Sequence, residues 1–78
     1  MKTSYIVQPT NRREFYNYMH NLGYKDKFFS KEDMINGKFP FHINTLTKEI
    51  TVIASITCCA AAASRGQILS FEEFVASM

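Results

Sequence analysis

Tryptophan is missing from this 78-residue chain, cysteine and proline occur twice each, and glycine three times. The cysteines, Cys58 and Cys59, are adjacent. A bridge between neighbouring residues is strained and a disulfide framework needs distant partners, so the chain reads as reduced and intracellular. No apolar run approaches the roughly 18 residues that a membrane span requires. The Met1-Lys2-Thr3-Ser4 start has no apolar segment behind it, so a soluble, cytoplasmic protein with no membrane partner is expected. Three isolated glycines cannot build a phosphate cradle. A net charge of +2 is too small to announce a nucleic-acid binder. Length adds its own limit: at this size a fold buries only about 60–65% of the surface of its unfolded chain, which leaves a small core and little room for a deep active site. A large enzyme is excluded and a small one is disfavoured.

Hydrophobic residues make up 46% of the chain and charged residues 21%. That balance belongs to a folded chain, and residues 1–78 read as a single compact domain. The charges are unevenly spread. Residues 1–38 carry seven basic groups against four acidic ones, whereas the rest carries Lys48 and Arg65 against Glu49, Glu72 and Glu73. An anionic partner would therefore meet the N-terminal half first.

The segment Ser4-Tyr5-Ile6-Val7-Gln8 is β-prone and is stopped by Pro9. Asn11 can cap a helix, with Glu14 three residues on as its reciprocal group. Phe15, Tyr18, Met19 and Leu22 then fall on one stripe, and Gly23 ends the helix. From Tyr24 to Lys38 the signal is mixed, with one short helical turn expected after Ser30 inside a long connection. Phe39, Phe41 and Ile43 alternate with Pro40, His42 and Asn44; after a polar turn, Glu49 to Ala54 alternates again. These two runs predict an antiparallel hairpin. Ser55 can open an alanine-rich helix through Ser64 that Gly66 would stop, and Ile68-Leu69 is long enough for one short strand. Ser70 and Glu73 form a second capping box before a terminal helix striped by Phe71, Phe74, Val75 and Met78. The expected class is α+β: a two-layer fold in which a small, mostly antiparallel sheet carries helices on one face, in the order β-α-β-β-α-β-α.

Several of these residues resemble a known group. Tyr5-Ile6-Val7, the helix opened by Arg13-Glu14-Phe15 and closed by Leu22-Gly23-Tyr24-Lys25, the strand Phe39-Pro40-Phe41-His42-Ile43, and the ending Ile68-Leu69-Ser70-Phe71-Glu72-Glu73-Phe74 resemble small accessory proteins of T4-like bacteriophages. The likeness touches most of the chain, although that group often has Trp after Gly-Tyr-Lys, where this chain has Asp26-Lys27-Phe28. What the resemblance implies is an early, host-takeover or anti-defence protein, made in an infected bacterium, that binds and blocks a host factor.

Catalytic chemistry finds little support in the spacing. Cys58 or Cys59 with His20 or His42 is the only conceivable Cys-His pair, and a cysteine in an alanine-rich helix is more often a small buried hydrophobe. Two cysteines and two histidines could total four metal ligands, but without the usual ligand spacing, so neither a metal nor another cofactor is expected. Glu72 and Glu73 are explained by helix capping. Two binding readings remain. Lys25, Lys27, Lys31 and Lys38, interleaved with Phe28 and Phe29 and extended by Arg12, Arg13 and Tyr16, could hold RNA or DNA by backbone charge and base stacking. Alternatively Phe28, Phe29, Met34, Ile35, Tyr16 and Tyr24 form an aromatic, Met-rich face for a protein. Protein binding is the preferred reading. A bacterial host or defence protein is the expected partner, and a second copy of the chain, met through the alanine-rich helix, is a further candidate.

Overall fold

The computed structural model describes residues 3–53 and 68–77. The alanine-rich helix expected after Ser55, with Cys58 and Cys59, lies outside the described residues. The observed elements are β1 (Ser4–Val7), α1 (Arg12–Asn21), β2 (Lys25–Asp26), α2 (Lys31–Asn36), β3 (Phe41–Asn44), β4 (Glu49–Val52), β5 (Ile68–Leu69) and α3 (Phe71–Ser77). The α+β class is as expected. One detail differs. Lys25–Asp26, expected as part of a loop, is an edge strand, and the sheet, mostly antiparallel as expected, has five strands in the order β2-β4-β3-β1-β5. Its centre is antiparallel, Tyr5 facing Ile43 and Ile43 facing Ile50, while each outer strand pairs in parallel over two residues.

Local chemistry accounts for the helix ends. The Asn11 side chain accepts from the Glu14 N–H at 3.0 Å and caps α1. At the other end Gly23 has φ +92°, its N–H donates to the His20 carbonyl at 3.0 Å, and the Tyr24 N–H donates to Met19 at 3.2 Å. This paired closure requires a left-handed residue at Gly23, and glycine takes that shape without a Cβ penalty. Ser70 and Glu73 cap α3 reciprocally, at 3.0 and 3.1 Å. Between β3 and β4 the Asn44 side chain accepts from the Leu46 and Thr47 amides, which turns the chain.

Alternation places Tyr5, Val7, Phe41, Ile43 and Ile50 on one face of the sheet. Phe15, Tyr16 and Met19 of α1, Met34 of α2 and Phe74 of α3 pack onto that face to form the core. Phe15 is its hub: its ring lies 5.1 Å from Phe41, 5.0 Å from Phe71 and 5.8 Å from Phe74, the spacing at which aromatic rings attract. Among the described residues, no helix is long and apolar enough to cross a membrane.

A candidate binding surface around Phe28

Once Gly23 has reversed the chain, β2 runs alongside β4. The Lys25 N–H donates to the Lys48 carbonyl at 2.9 Å and the Lys27 N–H to Ile50 at 3.0 Å. Phe28 follows at once, in the left-handed region at φ +70°. Few bulky residues adopt that conformation. Here it directs the ring outward, and Phe28 is 85% exposed, the most exposed large apolar side chain among the described residues. Its neighbour Phe29 packs against the core. Ser30 then caps α2 by accepting from the Asp33 N–H at 3.2 Å.

One cation lies at the ring. Lys27 Nζ lies 5.2 Å from the Phe28 ring centre and 3.3 Å from Glu49 Oε1. Glu49 is held below the usual carboxylate range by hydrogen bonds from Thr47 and Lys27 and by the Lys27 charge. Lys25 is exposed on β2, and Lys31 sits with its Nζ 5.7 Å from the Tyr16 ring. Arg13 and Lys31 line one shallow hollow with Glu32, Ile35 and Asn36. Lys38 is exposed at the far end of the connection.

Six expected contact residues are turned inward or engaged by the fold instead, Tyr24 being a buried core residue and Ile35 packing against the core. Met34 is wholly buried, because the short helix α2 lays it against the core. Phe29 packs on the core, and Tyr16 is only 2% exposed. Arg12 is engaged with the protein's own backbone: Nε donates to the Met34 carbonyl at 3.0 Å and Nη1 to Phe39 at 2.8 Å. Burial lowers the Arg12 pKa from its ordinary value. Of the expected residues Arg13, Lys25, Lys27, Phe28, Lys31 and Lys38 remain exposed, but they do not share one face. Lys27 lies at the Phe28 ring and its charge reaches His42 on the open side of the sheet, whereas Lys31 and Arg13 stand with α1 and α2 on the other side.

The structure also joins residues that sequence reasoning did not connect. The Tyr16 hydroxyl stands 2.8 Å from each Asp26 carboxylate oxygen and 2.8 Å from His20 Nε2, which itself is 3.1 Å from Asp26 Oδ1. Burial, together with the Asp26 hydrogen bond and charge, pushes the Tyr16 pKa up to about 12. Half of this cluster was legible, since Tyr16 and His20 are one helical turn apart; the link to Asp26 depends on β2. On the opposite face of the sheet, Ser4 Oγ and His42 Nε2 lie 2.6 Å apart. Burial, and secondarily the Lys27 charge, lowers the His42 pKa. Among the described residues no group of three or more His, Cys, Asp or Glu could hold a metal ion.

Comparison of the chain with protein-family models, with curated proteins and with solved structures finds no match to any of the three.

Proposed function

We propose that this chain is a non-catalytic binding protein that covers the working surface of a bacterial protein, with Phe28 as its anchor. The observation that carries this reading is the coincidence, at one residue, of 85% exposure and a φ of +70°. Each is unfavourable in the isolated chain. Left-handed backbone costs a non-glycine residue about 1–2 kcal/mol, and a large apolar side chain left in water forgoes about 1.5–3 kcal/mol of burial. Strain kept at an exposed position points to a use outside the fold. An aromatic ring seated in a partner's pocket is a common form of interface hot spot, and a rigid backbone lowers the ordering cost of placing it.

The resemblance to T4-like phage accessory proteins supplies the expected class of partner: a defence, toxin or regulatory protein in the cytoplasm of an infected cell. Lys27, 5.2 Å from the ring, favours a partner surface with negative charge beside the pocket. RNA or DNA binding is the other reading of the same residues. It is weakened because Arg12 is spent on backbone carbonyls and the Tyr16 ring is buried, which removes one cation and one stacking platform.

A tagged chain is used to capture partners from infected bacteria, with and without nuclease, at low and moderate salt. The expected result is a one-to-one protein complex that survives both treatments and is lost with Phe28→Ala. Capture that disappears with nuclease, or falls steeply with salt and depends on Lys25, Lys27 and Lys31 together, assigns the surface to nucleic acid instead.

A further inference from the structure

Phe28 is attached to the sheet through a short lever. β2 has two residues and lies at the edge, joined to β4 by the Lys25 and Lys27 amides at 2.9 and 3.0 Å. Both of its residues are exposed. Segments of this kind open at low free-energy cost unless something else holds them. Here the Asp26 side chain, between the two bonded amides, is bonded to Tyr16 and His20 of α1.

The hydrogen-bond chemistry of the cluster is constrained. The Asp26 carboxylate only accepts, so the single Tyr16 hydroxyl proton goes to it, across 2.8 Å to either oxygen. The contact of His20 Nε2 with Asp26 Oδ1 at 3.1 Å then requires a proton on that nitrogen, which also donates to the Tyr16 oxygen at 2.8 Å. The Tyr16 and His20 rings stack with centres 4.6 Å apart, and Lys31 approaches the Tyr16 ring from α2. Because Tyr16 is 2% exposed, the inner end of the cluster is embedded in the core. Asp26 thereby ties the sheet edge to the buried core, two residues ahead of Phe28.

We infer that Tyr16, His20 and Asp26 form a latch that sets the position of Phe28. With the latch closed, β2 stays on β4 and the chain must leave the strand through the left-handed Phe28. With it open, β2 frays and Phe28 relaxes into ordinary backbone. The inference rests on Phe28 as the anchor, and it makes Tyr16 and Asp26 positioning residues: apparent affinity scales with the fraction of molecules whose latch is closed, although the Tyr16 ring is buried.

The test uses the isolated full chain and needs no partner. Tyr16→Phe keeps the ring and removes the hydroxyl; Asp26→Ala removes the carboxylate at a partly exposed site. Amide hydrogen exchange and the φ-sensitive NMR couplings of Phe28 are measured in both, with Leu46→Ala as control. In both latch variants the Lys25 and Lys27 amides exchange about tenfold faster or more and the Phe28 couplings move towards averaged values, while Met19 and Ile43 keep their protection. Unchanged exchange at Lys25 and Lys27 with unchanged Phe28 couplings overturns the latch. Equal acceleration at Met19 and Ile43 also overturns it, because the cluster would then be an ordinary contributor to global stability. Should the latch behave as described while Phe28→Ala leaves partner capture intact, the latch stands and the anchor fails.

Discussion

The Arg12 guanidinium lies 4.4 Å from the centre of the Phe41 ring while donating to the Met34 and Phe39 carbonyls. One side chain thus joins α1, the last turn of α2 and the approach to β3. Removing it strands two carbonyls and uncovers a buried ring. Arg12→Ala therefore lowers the free energy of unfolding by about 2–3 kcal/mol in denaturant melts. Arg12→Lys recovers only part of this, because an ammonium cannot reproduce the planar fork.

At Phe28 the backbone and the side chain are separable. Phe28→Ala and Phe28→Gly both delete the exposed ring, but only glycine removes the left-handed strain. Phe28→Gly is expected to be more stable than Phe28→Ala by about 1 kcal/mol in urea melts, with the same loss of partner binding. Equal stability of the two would show that the strain is absent in solution.

The opposite exchange distinguishes two glycines. Gly23 has φ +92° and open space where a Cβ would stand, whereas a Cβ on Gly37 would lie 2.8 Å from the Asp33 carbonyl oxygen. Gly23→Ala and Gly37→Ala each destabilise the chain by about 1 kcal/mol or more, for different reasons. Asparagine tells them apart: it tolerates left-handed backbone, so Gly23→Asn is milder than Gly23→Ala, and no such recovery occurs at Gly37. Thermal melts of the four variants give the comparison.

His42 gives the fold a dependence on acid. Its pKa is lowered in the folded chain from an ordinary 6.5, by burial and by the Lys27 charge. Below about 6.5 the unfolded chain therefore binds more protons than the folded one, and stability falls as pH drops through that value, levelling off below the folded pKa. The contribution is complete above the ordinary histidine range. Equilibrium melts between pH 8 and pH 5 measure the decline, and His42→Gln flattens it across this window.

Much of the scaffold was readable because its signals are local. Asn11, Phe15, Met19 and Gly23 specify α1 within a dozen positions, although Leu22 of the expected stripe is exposed and Tyr16, outside it, is buried; the reciprocal pair of Ser70 and Glu73 marks α3 within four. Strand β2 carries no such signal. Lys25 and Asp26 are both exposed polar residues, and their pairing is supplied by Lys48 and Ile50, more than twenty positions away. Phe28 and Phe29 posed a similar problem. They are identical neighbours, and nothing local tells them apart, although Phe29 packs on the core while Phe28, with its positive φ, is exposed. Arg12 looked like a surface cation for the same reason: the carbonyls of Met34 and Phe39 come to it through the tertiary fold.

Calorimetric titration of the captured protein with the wild-type chain, Phe28→Ala and Leu46→Ala puts the anchor to the most direct test, since Leu46 is 78% exposed and stands in an ordinary hairpin turn. Loss of a hot-spot ring, about 2 kcal/mol, weakens binding by about thirtyfold in Phe28→Ala. Leu46→Ala binds as tightly as the wild type. Wild-type affinity in Phe28→Ala, or an equal loss in Leu46→Ala, would contradict the assignment of Phe28 as the residue through which this chain holds its partner.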